Sequence, residues 1–314
     1  MQAGKIQDNI LKRSVTNIIG KGIPEGKSPG VGKDCGFSDN GGTVICQASG
    51  MGSAEGAGPA LAVFKAANNV WAAGGKLCGF QSVFFLSEDT KEAELKELTR
   101  KVKAAADACK APVNGGHTEV SPDVKKPVVA VSAAGISGKY RETGPVPGDY
   151  IMVTKWVGLG QMAMWLSDEN ITKSLEERFC RSYIDTIRDC GKWLAIYDEA
   201  ETAKASGAKL MHDVSGGGIF TALFEMSERF RTGFEADLKK IPVRQEIMEA
   251  STFLKVNPYR MDSTGSLIIV CDDPDMMMGA LAKEEIPSAV IGRFTDNNDK
   301  IIRNGEDISF LARK

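Results

Sequence analysis

Residues able to do chemistry cluster at positions 114–120, where two adjacent glycines precede an imidazole, a hydroxyl and a carboxylate. Adjacent glycines let backbone N–H groups approach an anion closely and allow positive φ angles. We therefore expect a phosphate cradle here; the alternative is a plain tight turn. The histidine is either a functional group or a satisfied structural side chain. The residues concerned are Gly115, Gly116, His117, Thr118 and Glu119.

A second cluster follows at positions 211–218 and contains the other of the chain's two histidines. Here His212 and Asp213 precede three glycines that run into an apolar helical pattern, and the N-terminus of such a helix binds anions readily. Asp213 is either a ligand or substrate contact or the N-cap of that helix, whereas His212 fits a structural role better. Because each histidine adjoins one glycine cluster, we expect both clusters to serve one site.

The composition is that of a soluble globular protein with two domains: 314 residues, 42% hydrophobic and 25% charged. The formal net charge of −2 argues against nucleic acid or an anionic membrane as a partner. No apolar run reaches the roughly 18 residues of a membrane span, and the first residues lack the apolar core of a signal peptide. We therefore expect a cytoplasmic protein. Its seven cysteines form no Cys-x-x-Cys motif and are expected to be reduced and mostly buried.

A glycine-, proline- and lysine-rich segment at positions 20–36 has the composition of a mobile loop. It is either a lid that closes over phosphates or a plain linker. Lys27 and Lys33 are candidates for phosphate contacts, although a lysine in a loop is usually solvated. Asp34 is either a metal ligand or a residue that caps the loop.

Two adjacent amides, Asn68 and Asn69, interrupt an apolar helical pattern at positions 58–73. Asparagine is a poor helix former and is costly to bury without a partner. The pair is therefore expected to face a polar site, as nucleotide or metal contacts, or to belong to an internal hydrogen-bond network.

The periodicity of apolar residues predicts alternating helices and strands, that is, an α/β fold. A turn-forming Gly-Pro-Val-Pro-Gly-Asp run suggests a boundary between an N-terminal domain, 1–143, and a C-terminal domain, 144–314. In the second domain a capping box at Ser174 predicts one long helix from 174 to about 200, and the apolar run 266–271 predicts a strand.

Six motifs, in order along the chain, resemble those of the AIR synthase (PurM-like) superfamily and, within it, of proteins related to the hydrogenase maturation factor HypE. They are Gly30-Val-Gly-Lys-Asp34, Ala67-Asn-Asn-Val-Trp-Ala-Ala-Gly-Gly, Asn114-Gly-Gly-His-Thr-Glu-Val, Val146-Pro-Gly-Asp-Tyr-Ile, Met211-His-Asp-Val-Ser-Gly-Gly-Gly and Asn257-Pro-Tyr-Arg-Met-Asp-Ser-Thr-Gly-Ser-Leu.

The resemblance implies a two-domain PurM-like α/β (α+β) fold whose N-terminal strands form a β-barrel in a homodimer, with ATP near the domain and dimer junction. It implies an ATP-dependent synthase or kinase that activates an oxygen of a small-molecule substrate by phosphoryl transfer, with a maturation protein as a further partner. By resemblance, catalysis falls to Asp213 and His117, and Mg²⁺ binding to Asp34, Asn69 and Glu119. Nucleotide binding falls to Gly32, Asp34, Asn68, Asn69, Gly115, Gly116, Thr118, Gly216 and Gly217.

The sequence departs from this family by lacking carboxylates. Gln47-Ala48-Ser49 occupies the place of an aspartate after the first strand, Asn69 replaces the aspartate of Asn-Asp, and His117 stands at an acidic position. Fewer carboxylates should weaken Mg²⁺ binding, so the alternative is a catalytically degenerate nucleotide-binding or maturation-partner protein. The chain also ends without the terminal cysteine of HypE, so HypE's self-modification is not expected. The second substrate cannot be named from the sequence.

Overall fold

The computed structural model describes residues 5–24, 30–137 and 142–312, which form two β-sheets, one from each half of the chain. The first sheet has five strands in the order β1-β2-β5-β3-β4, and the second has seven in the order β12-β11-β8-β10-β6-β9-β7. Helices accompany both sheets, so the predicted α/β class is confirmed.

The elements of the first half begin with a short helical segment and continue into the first sheet. Their bounds are α1 Asp8–Leu11, a π-helical turn Lys12–Thr16, α2 Asn17–Ile19, β1 Gly36–Asn40, β2 Thr43–Ser53, α3 Gly58–Ala72, β3 Gly75–Leu86, α4 Glu92–Ala108, β4 Val113–Val120 and β5 Val128–Ser137.

Helix α3 packs against β2, β5 and β3 on one face of the first sheet, α4 packs against α3, and the other face is open. Burial alternates along β3 as a half-covered strand requires: Phe80 and Phe84 are buried, whereas Gln81 is exposed and Phe85 is 39% exposed. Strand β4, at the edge of this sheet, is exposed at every residue.

The elements of the second half alternate helices with the strands of the second sheet. Their bounds are β6 Tyr150–Thr154, α5 Leu159–Trp165, α6 Glu169–Arg178, α7 Arg181–Arg188, α8 Tyr197–Ala205, β7 Leu210–Val214, α9 Gly218–Phe230, β8 Gly233–Asp237, α10 Gln245–Phe253, β9 Ser266–Cys271, α11 Pro274–Lys283, β10 Ser288–Thr295, β11 Lys300–Asn304 and β12 Asp307–Phe310, with 3₁₀ turns at Asp189–Trp193, Leu238–Lys240 and Pro258–Arg260.

Strand β9 lies inside the second sheet and is buried along its whole length, as its continuous apolar sequence predicts. On one face Leu267 and Ile269 belong to an apolar core that continues into the first domain, and on the other Ile268 and Val270 belong to a second core. No helix in the described ranges is both long and apolar enough to cross a bilayer.

The two domains meet where α3 packs against β7, at one edge of the second sheet. The last strand of the first sheet ends at Ser137 and the first strand of the second begins at Tyr150, on either side of the predicted boundary. Asn68 in α3 joins the domains: its Nδ2 donates to the carbonyl of Leu194 (2.9 Å), and its Oδ1 accepts from the N–H of Ile196 (3.3 Å).

The prediction of one helix from Ser174 to about residue 200 is wrong. Asp168 caps α6 instead, by accepting bonds from the N–H groups of Asn170 and Ile171. The chain is extended at Phe179, whose ring stacks on Tyr183 with the centroids 4.7 Å apart. Local capping signals did not reveal this aromatic packing, which accompanies the break between α6 and α7. A 3₁₀ turn at Asp189–Trp193 then separates α7 from α8.

Candidate functional site

A cavity of about 250 Å³ lies at the domain junction, between the glycine loop that precedes β1 and the N-terminus of α9. Its walls combine backbone-rich glycine segments with a small number of charged side chains. The lining residues on which its chemistry depends are Lys5, Gly32, Asp34, Asn69, Asp213 and Gly216.

Asp34 and His212 meet at the floor of this cavity. The Nδ1 atom of His212 lies 2.9 Å and 3.0 Å from the two carboxylate oxygens of Asp34. The backbone N–H of Asp213 also donates to Asp34, with a distance of 3.4 Å. Asp34 thereby joins the glycine loop of the first domain to β7 of the second domain.

Two further ionic contacts extend this pair into a chain of alternating charge that runs from the buried Asp34 to the partly exposed Lys5. His212 Nε2 lies 3.7 Å from a carboxylate oxygen of Glu225, and Lys5 Nζ lies 2.5 Å from the other. Burial alone would lower the pKa of His212, but Asp34 and Glu225 raise it to about 10. Burial likewise opposes ionisation of Glu225, yet His212 and Lys5 lower its pKa. His212 is therefore an imidazolium that neutralises Asp34.

Asp213 lacks such partners. It is 3% exposed, and among the described residues neither of its carboxylate oxygens has a hydrogen-bond partner. Burial and the charge of Asp34 raise the pKa of Asp213 to about 7, and the charge of His212 and the nearby Ser215 hydroxyl oppose that rise. A buried carboxylate without partners is costly, so this side chain is arranged for a cation or a donor that the cavity receives.

The N-terminus of α9 supplies an anion-binding surface beside Asp213. Gly217 is its N-cap, with φ +91°, and Gly218 has φ +69° with the carbonyls of Tyr259 and Met261 too close for any side chain. Since α9 has 13 residues, its first N–H groups and its dipole favour negative charge here.

Another wall of the cavity is the glycine loop, which packs directly on α9 at Gly32. The φ angle of Gly32 is +73°, and a Cβ atom there would lie 2.7 Å from the carbonyl oxygen of Glu225. Arg229 holds the loop from the same helix by donating to the Gly32 carbonyl at 3.1 Å.

Replacing Gly32 by alanine is expected to displace the glycine loop and to weaken nucleotide binding by about tenfold or more, because the added methyl group strikes backbone that cannot yield. Titration calorimetry checks the affinity. Gly22→Ala is a matched control, since Gly22 has φ +82° but open space around the added Cβ. Equal affinities of the two variants would contradict this role of Gly32.

The first predicted cluster lies elsewhere, in the exposed edge strand β4, which pairs with β3. Gly116 is needed because a Cβ atom there would meet the carbonyl of Ser82 at 1.8 Å, whereas Gly115 has open space. His117 Nε2 lies 3.1 Å from Glu119 on the solvent side. Neither these residues nor Thr118 lines the cavity of Asp34 and Asp213, and their predicted roles stay predictions.

The two asparagines have different environments. Asn68 is fully buried in the interdomain network described above, which is the alternative that the sequence left open. Asn69 lines the cavity, and its Nδ2 donates to the carbonyl of Lys65 at 2.7 Å. Lys33 also lines the cavity, and Lys27 lies outside the described residues.

Sequence reasoning missed Lys5, Glu225 and Arg229. The signal for Glu225 was available, since it is an acidic residue at a core-facing position of α9 and buried acids need partners. Lys5 and Arg229 gave no local signal, because their partners Glu225 and Gly32 lie far away in sequence.

Within the described residues, no three His, Cys, Asp or Glu side chains form a complete metal cluster. Asp213 and Asp34 nevertheless line one cavity with the amide of Asn69. Mg²⁺ is commonly held by one or two carboxylates together with the phosphates of a substrate, and the unpartnered oxygens of Asp213 suit that arrangement. Glu119 stands apart from it on β4.

A glycine loop and a glycine-headed helix that enclose two carboxylates at a domain junction define a two-domain α/β protein with an anion site. Two family models match the chain: AIR synthase related protein, N-terminal domain, over residues 42–137, and AIR synthase related protein, C-terminal domain, over residues 146–304. The chain belongs to the AIR synthase related family, of the PurM-like superfamily.

Two relatives show the range of this family. The chain is 23% identical over 252 residues to carbamoyl dehydratase HypE of Rhizobium leguminosarum bv. viciae, covering 77% of this chain and 69% of the relative. It is 26% identical over 236 residues to phosphoribosylformylglycinamidine synthase subunit PurL of Ignicoccus hospitalis, covering 73% of this chain. The match spans only 32% of that PurL subunit.

Solved structures with the same fold include a HypE–HypF complex, with a TM-score of 0.73, 16% identity and coverage of 96% of this chain and 100% of that one. HypE in complex with ATP gives a TM-score of 0.68 at 16% identity, with 100% and 96% covered. AaThiL complexed with AMPPCP and TMP gives 0.72 at 16% identity, with 99% of both chains covered. These similarities establish the PurM-like fold that the motifs predicted.

Proposed function

We propose that this protein binds ATP at the domain-junction cavity and transfers its terminal phosphoryl group to an oxygen of a small molecule. The observation that carries the proposal is Asp213, a buried carboxylate without partners beside the glycine N-terminus of α9. An anion surface next to an unpaired acid suits a ligand that brings both negative phosphates and a cation.

The residues of this chain divide the work of such a site. Gly216 and the N-terminus of α9 would bind phosphate oxygens from one side, and Gly32 lets the loop approach from the other. Asp213 and Asp34, with Asn69, would hold Mg²⁺, which supplies charge neutralisation of the phosphates when it is bound. His212 fixes the carboxylate of Asp34 in place through two short contacts.

Asp34 is already paired with an imidazolium, so Asp213 would be the dominant acid toward a cation. This distribution leaves the net negative charge of the site small, since His212 and Lys5 oppose Asp34 and Glu225. We therefore expect Mg²⁺ to bind weakly alone and well together with the nucleotide, whose phosphates complete its ligands.

The relatives support the class of chemistry. One similar structure contains ATP, and another contains AMPPCP, an ATP analogue, with TMP. The HypE–HypF complex makes a maturation protein a candidate partner. A second copy of this chain is another candidate partner, because the open face of the first sheet exposes the apolar side chains of Met51 (68%), Phe85 (39%) and Ile136 (46%).

Calorimetric titration of ATP into the purified protein, with and without Mg²⁺, tests the proposal together with an assay for released ADP. We expect Mg²⁺-dependent binding with a Kd on the order of micromolar, weakened about tenfold or more in Asp34→Asn. Light scattering on the same samples should give twice the chain mass if the open face joins two copies. Asp123→Asn removes an exposed carboxylate and should behave as wild type.

The outcomes separate the two functions that the sequence left open. Binding with turnover that rises when the correct small molecule is added supports the enzyme. Binding without turnover under any substrate supports the catalytically degenerate nucleotide-binding protein. An absence of binding at millimolar ATP contradicts the site itself.

A further inference from the structure

One side of helix α3 connects the first domain to the second. Lys65, Asn68 and Trp71 follow one another at intervals of three residues, so their side chains lie along one side of the helix. Each of them contacts a different segment of the second domain, whereas α3 also packs on β2 and β5 of its own sheet. We call these three residues the α3 stripe.

Lys65, at the first end of the stripe, forms an ion pair with Asp262 in the loop before β9. Lys65 Nζ lies 2.6 Å from Oδ2 of Asp262, and the two side chains are 21% and 15% exposed. The other carboxylate oxygen of Asp262 accepts bonds from the N–H group and the hydroxyl group of Thr264, at 3.0 Å and 2.6 Å. Asp262 is therefore held within its own domain while it binds α3.

Asn68, in the middle of the stripe, binds a segment that the second domain holds from the other side. Its fully buried amide pairs with a carbonyl and an N–H group of segment 193–196. Two other carbonyls of this segment accept bonds from the buried Lys155, which directly follows β6. A leucine at position 68 would leave two buried backbone groups without their partner, which is costly.

Trp71, at the other end of the stripe, packs against the first residue of α8. Its ring is 3% exposed and lies edge-on to the ring of Tyr197, with the centroids 5.6 Å apart. Edge-to-face pairs of this kind are favourable beyond their buried area. Since six residues of helix span about 9 Å, three contacts along the stripe oppose both rotation and sliding of α3 against the second domain.

The candidate site depends on the position of α3 because its residues come from both domains. Asp34 and Asn69 belong to the first domain, and Asp213 belongs to the second. Asp34 is held to β7 by His212. Asn69 has a different support: it lies on α3 beside the stripe, and its Nδ2 bonds to the carbonyl of Lys65 in the same helix. The distance from Asn69 to Asp213 is therefore set by where α3 lies.

We propose that Lys65, Asn68 and Trp71 are positioning residues, which hold the amide of Asn69 and the carboxylate of Asp213 close enough to bind one cation together. None of the described residues that line the cavity belongs to the stripe, so the stripe acts through Asn69. The identity of the cation and its nucleotide rests on the proposed function, whereas the joining of the two domains depends on the stripe itself.

The effect of Mg²⁺ on ATP affinity distinguishes positioning from a merely structural role. Phosphate binding at the N-terminus of α9 depends mainly on the second domain, whereas the cation needs residues from both. We expect Asn68→Leu and Lys65→Met to reduce the gain in affinity from Mg²⁺ about tenfold or more, and to leave the affinity without Mg²⁺ within about twofold. Calorimetric titrations, on samples that circular dichroism shows to be folded, measure both quantities.

Two further variants serve as controls. Lys65→Arg keeps the positive charge opposite Asp262 and should retain most of the gain from Mg²⁺. Phe234→Leu should lower the stability without changing that gain, because Phe234 is fully buried in the core of the second domain on β8 and does not line the cavity. Lys65→Met changes a partly exposed side chain, so it tests the proposal even if Asn68→Leu does not fold.

Urea denaturation without nucleotide measures the joining of the domains separately. The wild-type protein and Phe234→Leu should unfold in one transition, and the Lys65→Met/Asn68→Leu double variant in two. An unchanged gain from Mg²⁺ in Asn68→Leu and Lys65→Met would overturn the positioning role. If the wild-type protein binds no ATP, the proposed function falls, and a single transition in the double variant would then overturn the joining of the domains by the stripe as well.

Discussion

Asp213→Asn is expected to abolish Mg²⁺-dependent ATP binding, with a loss on the order of 100-fold or more, and to leave the fold at least as stable as wild type. The binding is lost because the substitution removes the charge of the one acid whose oxygens have no partner in the described chain. Even the loss of a group that only hydrogen-bonds a metal ligand costs about 10- to 100-fold in metal affinity. Calorimetric titration measures this loss.

The gain in stability follows from the same burial, since ionised groups cost more to bury than amides. Burial raises the pKa of Asp213 from its ordinary value of 3.8 to about 7 in the folded protein. The folded state therefore holds the proton more tightly, and the carboxyl group destabilises the fold progressively as pH rises from 3.8 to about 7. Without Mg²⁺, Asp213→Asn should thus be more stable at pH 8 by up to about 4 kcal/mol, since each unit of pKa shift corresponds to about 1.4 kcal/mol, and the difference should fall toward zero below about pH 4.

Urea denaturation at several pH values in EDTA checks the stability, with Asp123→Asn as the exposed control. A variant that is less stable at pH 8 and binds nucleotide normally would show that Asp213 is a structural acid. Such a result would remove the observation on which the proposed function depends.

Lys155→Ala is expected to destabilise the second domain by about 3–5 kcal/mol, because it leaves a buried acid without its counter-ion. Lys155 Nζ lies 2.6 Å from Glu199, and the two side chains are 2% and 6% exposed. The ammonium also donates to the carbonyls of Trp193 and Ala195, at 2.9 Å and 2.7 Å. Burial lowers the pKa of Lys155, and Glu199 opposes that shift.

Urea denaturation of Lys155→Ala, Glu199→Gln and the double variant measures the coupling between the two groups. The double variant should recover part of the loss, since no lone buried charge remains. Lys103→Ala tests an equally short but exposed pair, with Asp107 at 2.6 Å, and should change stability little. Equal effects of Lys103→Ala and Lys155→Ala would contradict the importance of burial here.

Local sequence patterns predicted the elements with a strong periodic or apolar signal. The helix expected at 58–73 is α3, Gly58–Ala72, and the strand expected at 266–271 is β9. The helix expected after Gly216 begins at Gly218. In each case one short stretch contains both the apolar pattern and the residues that end it.

Patterns failed where distant residues decide the outcome. The sequence of Gly115 and Gly116 fits a turn as well as a strand. In the structure both residues pair with β3 as part of β4, and Gly116 lies so close to the carbonyl of Ser82 that only glycine fits. The helix expected from Ser174 is interrupted because Phe179 packs on Tyr183 and Phe253. An analysis of local periodicity does not identify such contacts, because it considers only neighbouring residues in the sequence.

By itself, the sequence determined the family and the α/β class and located the glycine segments, because these depend on residue type and order; the roles that it predicted for Asp34 and Asp213 stay predictions. The tertiary structure alone decided that His212 and Lys5 complete a chain of alternating charge with Asp34 and Glu225, and that Asp213 is the buried acid without an ion-pair partner among the described residues. The reason is physical: charge pairing, desolvation and strand register depend on distances between segments far apart in the chain, and these distances exist only once the chain has folded.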